Sequence, residues 1–179
     1  MRLNEVQSIG TIWKMYRLYL EAFPISERKP FSRILKKRKN GGTEMLTIES
    51  DEGKFLGLAF TICYKDRVLL DYFAIRKDKR AGGAGSEALQ LLLKRYKEYR
   101  LVLEIETTRN CMESRDDCCR RKAFYLRNGM TELDFEVVLF GVEMEMLGNG
   151  CEMAFEEYQE IYSGEYGSFI LPNIKQLQR

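Results

Sequence analysis

Histidine is absent from all 179 residues of the chain. That excludes Ser-His-Asp and Cys-His nucleophilic catalysis and histidine-ligated metals, and it leaves acid–base work to Asp, Glu, Tyr, Cys or Lys. An excess of charge is missing too. The 29 basic and 27 acidic residues nearly cancel to +2, so no strong field points to nucleic acid or anionic lipid, although a small anionic ligand needs only a local patch. No apolar run approaches the roughly 18 residues of a membrane span, and no secretory leader is seen. The five cysteines, Cys63, Cys111, Cys118, Cys119 and Cys151, are odd in number and follow neither a CxxC nor another zinc spacing. The expectation is a reduced, cytoplasmic protein without metal, nucleic acid or membrane as partner.

Hydrophobic residues make up 45% and charged residues 31%, as in an ordinary globular protein, and the length suits one domain with its own core. "IGTIWKMYRLYLEAFP" spaces Ile9, Ile12, Trp13, Tyr16, Leu20 and Phe23 by threes and fours, which predicts an amphipathic helix ending before Pro24, with this aromatic stripe in the core. A turn, "PISERKP", and a short basic helix, "FSRILKKRKNGG", follow. From residue 43 the period becomes that of strands: "TEMLTIES", "KFLGLAFTICY" and "RVLLDYFAI" form a meander. "SEALQLLLKRYKEY" reads as a helix and "LVLEIE" as a compact strand. A polar loop, a helix around "CCRRKAFYLRNG", the strands "LDFEVVLFG" and "VEMEML", and a last helix "MAFEEYQEIYSG" complete the chain. The fold class is α+β in α/β/α layers, a mixed, mostly antiparallel sheet flanked by helices with one βαβ crossover.

The crossover contains "RKDKRAGGAGSEAL", residues 76–89, a glycine-rich turn between strand and helix. Such turns bind phosphate, because bare backbone N–H groups close around an anion. Gly83, Gly85 and Ala88 satisfy the dinucleotide pattern G-x-G-x-x-A, and Glu104 lies 21 positions after Gly83, near where a ribose-binding acid would stand. A dinucleotide site, however, needs its first glycine directly after the strand, whereas "RKDKRAG" intervenes, and it needs further βα units.

The same letters read as Arg80-Ala81-Gly82-Gly83-Ala84-Gly85, that is R-x-x-G-x-G, after a strand and a basic loop. This resembles the coenzyme A signature of the GNAT N-acetyltransferase superfamily. "AFYLRNGM", residues 123–130, is similar to that family's later helix end with its tyrosine, the element order of residues 68–140 matches its core order, and "FPISERKPF" resembles a phrase of a bacterial branch. The resemblance implies a single GNAT domain over 1–179: N-terminal helices at 1–42 on the acceptor side, a core sheet with the CoA site at 43–147, and a C-terminal helix and tail at 148–179. It implies an acetyl-CoA-dependent N-acetyltransferase acting directly on a primary amine of a small molecule or peptide, without metal.

Residue by residue, the resemblance assigns the pantetheine arm to the backbone of Phe73, Ala74 and Ile75, and the pyrophosphate to Arg80, Ala81, Gly82, Gly83, Ala84, Gly85 and Ser86. Tyr125 corresponds to the tyrosine that protonates the leaving thiolate in some members. The family's fourth-strand glutamate is replaced by Leu69, an asparagine that touches pantetheine by Cys118, and the aromatic after the helix-end glycine by Met130. Substitute bases are Glu104 and Glu106, which share one face of "LVLEIE" because strand side chains alternate, with Asp71 third. Two acids on one face of a central strand must be hydrogen-bonded, paired or working. Cys118 and Cys119 read as plain buried thiols in preference to redox sensors. The acceptor is expected near Glu27, Arg28 and Asp71; Glu27, Glu104 and Glu106 would suit a cationic amine and Arg28 an acidic one. Two alternatives carry forward: a non-catalytic CoA-binding or protein-interaction module, and a dinucleotide-binding protein. Edge strands at the C-terminal end could pair into a homodimer.

Overall fold

The computed structural model describes every residue except 39, 40, 81, 110, 112, 114, 115, 178 and 179. Along the described chain run β1 (Arg2–Glu5), α1 (Ile9–Ala22), α2 (Phe31–Arg38), β2 (Thr43–Glu49), β3 (Phe55–Tyr64), β4 (Arg67–Ile75), α3 (Ala84–Arg95), β5 (Arg100–Glu106), α4 (Asp117–Arg127), β6 (Thr131–Leu139), β7 (Val142–Gly148), α5 (Phe155–Tyr166) and β8 (Ile174–Gln176). Single 3-10 turns lie at Ile25–Glu27, Lys77–Lys79 and Ser168–Asn173. The sheet is mixed: β4 and β5 run parallel, while β1–β2, β2–β3, β5–β7, β6–β7 and β6–β8 pair antiparallel. Among the described residues no helix is long and apolar enough to cross a membrane. The chain forms two compact units, Met1–Cys63 with Leu70–Arg95, and Tyr64–Leu69 with Tyr96–Arg179.

In the first unit the strands lie in the order β1-β2-β3-β4. The alternation of β4 decides which helix each side chain meets. Tyr72 and Ala74 join Met15, Leu18 and Tyr19 of α1 and Ile34 of α2, whereas Phe73 and Ile75 join Ala84 and Ala88 of α3. An extra residue in β3, Leu56, breaks the register between Ile48↔Gly57 and Glu49↔Phe55, the mark of a β-bulge. Gly57 beside it is required: a Cβ there would overlap the Ala74 carbonyl oxygen.

Helix α1 begins where expected, with Ser8 Oγ accepting the Thr11 amide at 3.1 Å. Its aromatic stripe is a correction. Met15, Leu18 and Tyr19 are the buried residues of the helix, while Ile9 is 79% and Trp13 59% exposed. The helix is apolar on more than half its circumference, so spacing alone could not tell which stripe meets the sheet. Truncating Met15, fully buried, would cost about 2–5 kcal/mol, whereas Trp13 carries no comparable share of the core.

In the second unit β5 stands beside β7, and its parallel ladder with β4 consists of Arg67–Leu69 opposite Arg100–Val102. Phe140 and Gly141, both at positive φ (49° and 86°), close the β6–β7 hairpin. Helix α5 buries Tyr158, Ile161 and Tyr162 completely. Arg67, itself buried, reaches Glu157 at 2.8 Å and Glu160 at 2.9 Å. The β6 edge is occupied over Val137–Leu139 by β8. Cys118 is a second correction: it is joined to Cys111 in a disulfide rather than standing as a buried thiol, and the Cys119 sulfur lies within 4.8 Å of both. Cys111, ahead of α4, and Cys118 and Cys119, in its first turn, bring three sulfurs together that a C-x6-C-C spacing does not announce.

Candidate functional site

Strand β4 ends at Ile75, and the Arg80 Nε donates to the Ile75 carbonyl oxygen at 3.0 Å, which fixes the start of the turn to the strand end. Gly82 and Gly83 then adopt φ of +90° and +80°, and nothing lies within 4 Å of where a Cβ would stand at either. The positive φ needs glycine; the open space leaves both backbones accessible. The Gly83 carbonyl accepts the Glu87 amide at 3.0 Å, which opens α3. The amides of Ala84, Gly85 and Ser86 therefore have no partner within the helix, at the end where the peptide dipoles concentrate positive charge. Ala81 lies outside the described residues. Part of the local positive charge is already taken up, because Asp78 receives a fork of two 3.0 Å bonds from Arg76 and lies 3.6 Å from Lys79. The arrangement is able to hold a phosphate by backbone donors with Arg80 beside them.

Ala74 and Ile75 are buried and Phe73 is half-buried. Asp71 is closed off by Lys29, whose Nζ donates to it at 2.6 Å, with the carboxylate only 8% exposed. Glu27 and Lys29 are held through their backbones: the Tyr72 hydroxyl donates to the Glu27 carbonyl at 2.7 Å and accepts the Lys29 amide at 3.0 Å, and Tyr19 donates to the Lys29 carbonyl at 2.9 Å. Burial pushes the Tyr72 phenol well above its ordinary value. Glu27, Arg28 and Asp71 are thus brought together around two residues that sequence reasoning did not single out, Lys29 and Tyr72. Beside them α1 and α2 leave an apolar groove of 740 Å³.

In the second unit, Tyr125 sits in the last turns of α4, buried except for 7% of its surface. Burial pushes its phenol up to about 12, with the Arg121 charge pulling the other way. Arg121, one turn earlier on α4, lies 3.8 Å from the half-exposed Glu106. Glu104 is engaged: Tyr158 donates to its Oε1 at 2.6 Å and Tyr162 at 2.8 Å. These two tyrosines, four apart on α5, present both hydroxyls to one strand carboxylate. Sequence reasoning missed them, since only the tertiary fold brings residues 158 and 162 to residue 104.

A family model described as "Acetyltransferase (GNAT) family" matches residues 12–121, which takes in α1, the β2–β4 meander, the glycine turn and β5. The chain belongs to the GNAT acetyltransferase family. It is an acyltransferase, and the mixed sheet flanked by helices is the fold of the family's solved structures. An acetyltransferase of this family from Bacteroides thetaiotaomicron superposes with a TM-score of 0.79 at 20% identity, over 95% of this chain and 98% of that one. A spermidine N-acetyltransferase from Vibrio cholerae, solved with CoA and spermine, gives 0.64 at 11% identity over 82% and 93%. A GNAT acetyltransferase from Elizabethkingia anophelis with acetyl-CoA bound gives 0.58 at 16% identity over 82% and 95%. Among curated proteins, no sequence matches the chain.

Proposed function

We propose that this GNAT chain uses acetyl-CoA to acetylate a primary amine directly. The observation that carries the reading is the turn between β4 and α3, where Gly82 and Gly83 stand at positive φ with open space at both Cβ positions, ahead of the first amides of α3, which have no partner within the helix. The pyrophosphate of the co-substrate fits that cradle, with Arg80 as its side-chain cation. Pantetheine would run along the backbone of Phe73, Ala74 and Ile75, which lie beyond the three-residue β4–β5 ladder.

In the reaction the unprotonated amine nitrogen attacks the thioester carbonyl carbon. The N–C bond forms, the C–S bond breaks, the nitrogen gives up one proton, and the departing thiolate takes one, so that an N-acetyl amide and CoASH result. Tyr125 is assigned the donation to the thiolate: a phenol near 12 stays protonated through neutral pH and can still yield its proton to a developing thiolate. Glu106, half-exposed near Arg121, is assigned acceptance of the amine proton through solvent. Glu104, with two phenols on one oxygen, is assigned a positioning role rather than that of the base. Leu69 supplies no base.

Thermal unfolding with acetyl-CoA, CoA, NAD and NADP tests the cradle. A ligand at about 100 times its Kd stabilises by roughly 2.7 kcal/mol, so acetyl-CoA and CoA should raise Tm by several degrees and the dinucleotides should not. Thiol release from acetyl-CoA across an amine panel tests the transfer. Binding of CoA without turnover on any amine would favour a non-catalytic module instead.

A further inference from the structure

The groove between α1 and α2 is built unlike a polyamine site. Its walls are Ile9, Ile12, Trp13, Tyr16, Leu20 and Ile25, and among the described residues no aspartate or glutamate lines it. The residues along it that carry charge are Arg28 and Lys29. Lys29 is neutralised, because Asp71 takes its ammonium at 2.6 Å. Arg28 is not. Its Nε is buried without a hydrogen-bond partner, and among the described residues its guanidinium makes no ion pair. A buried donor left unused is costly to maintain unless something arrives to satisfy it. Around it lie exposed apolar side chains, with Ile25 at 83% and Trp13 at 59%. These would be unfavourable in water without a function, and a groove of 740 Å³ falls in the range that encloses a small molecule.

We propose that the acceptor is a small amine with an apolar, ring-sized body and a carboxylate, such as an apolar α-amino acid, held by Arg28 at the carboxylate and by the Trp13–Tyr16–Leu20 wall at the body. This deepens the acetyl-transfer reading and rests on it. The guanidinium fork suits a planar carboxylate, which can accept two parallel N–H bonds. A polycation is disfavoured here by charge: it would meet Arg28 and no lining acid. The carboxylate takes no part in the bond changes; the amine nitrogen still gains the acetyl carbon, and CoASH still leaves with the proton.

Three amines separate the outcomes: L-phenylalanine, phenethylamine, which lacks the carboxylate, and spermidine. Phenylalanine should be acetylated with a kcat/KM at least tenfold above both others, and Arg28→Met should bring the phenylalanine-to-phenethylamine ratio to near one. Arg28→Lys, which keeps the charge but not the fork, should fall between. Equal or better turnover of phenethylamine or spermidine by the unaltered enzyme would overturn the assignment while leaving acetyl transfer intact. A second readout is independent of transfer. Trp13 is the single tryptophan of the chain, so its fluorescence reports occupancy by the unreactive probe 3-phenylpropionate. A saturable change that Arg28→Met abolishes, in a protein of unaltered Tm, supports the groove even if no amine is acetylated. Absence of any change in the unaltered protein overturns it.

Discussion

The Tyr72 hydroxyl donates to the Glu27 carbonyl and accepts the Lys29 amide, so one phenol on β4 holds the backbone on both sides of Arg28. The position of that arginine is therefore set by a strand, not by the loop that carries it. Tyr72→Phe removes both of these part-buried bonds, at a cost of about 1–3 kcal/mol. Urea unfolding should show that loss. The KM for the acceptor should rise with it, while the Kd for acetyl-CoA stays within twofold, because the turn at Arg80–Ser86 is not touched by the change.

Gly83→Ala places a side chain at a φ of +80°, in the space assigned to phosphate. It should weaken acetyl-CoA at least tenfold by calorimetry. Gly150 is the matched control: its φ is +77° and the space beside it is equally open. Gly150→Ala carries a similar backbone strain of about 1 kcal/mol and should leave acetyl-CoA affinity unchanged. If both variants lose affinity alike, general destabilisation and not the cradle is responsible.

Tyr125→Phe should lower kcat by about 100-fold or more, within the range for loss of a general acid, with the Kd of acetyl-CoA retained. Burial holds the phenol near 12, so the neutral donor persists as pH rises and is lost only above that value. The kcat of the unaltered enzyme should show no alkaline decline assignable to this group below about pH 11. A fall of less than tenfold in kcat for Tyr125→Phe, with the Kd of acetyl-CoA retained, would contradict the assignment.

Acid stability has a local source in Glu157. Hydrogen bonds from Arg100 and from the Ala154 amide hold its carboxyl at about 2, well under the ordinary 4.5. A folded-state value depressed in this way contributes stability that is complete above 4.5 and disappears as pH falls toward 2. With the side chain 30% exposed, solvent screening keeps the contribution to roughly 1 kcal/mol. Glu157→Gln should flatten the fall in stability between pH 5 and 2, and a slope identical to that of the unaltered protein would remove Glu157 from the explanation.

The unfolded, non-reduced chain should titrate three thiols with Ellman's reagent, those of Cys63, Cys119 and Cys151, and five after reduction. Five before reduction would mean that the Cys111–Cys118 bond is absent in solution.

Much of this was legible in the residues themselves. The meander, the crossover and the turn could be read because alternation, 3.6-residue periodicity and glycine runs are local properties. The glycine turn is legible for a further reason: positive φ is a demand on a single residue, and Gly82 and Gly83 meet it visibly. Other features depend on which distant segments meet. Strands β1 and β8, four and three residues long, are too short for a period and exist through their partners β2 and β6. The two phenols on Glu104 come from residues more than fifty positions away. On α1, an apolar surface over more than half the circumference hid the division of labour between the Met15–Leu18–Tyr19 face in the core and the Trp13 face on the groove.

Gly57 gives the first unit a constraint of a different kind. Where most core positions are specified by what a side chain fills, this one is specified by an atom that must not be there, since a methyl group would displace the Ala74 carbonyl oxygen. The approach of β3 to β4 at Ala74, within the stretch proposed to carry the pantetheine arm, is thus gauged by a hydrogen atom. Variation at residue 57 would reach that stretch through the Ala74 carbonyl, without changing any side chain assigned to the co-substrate.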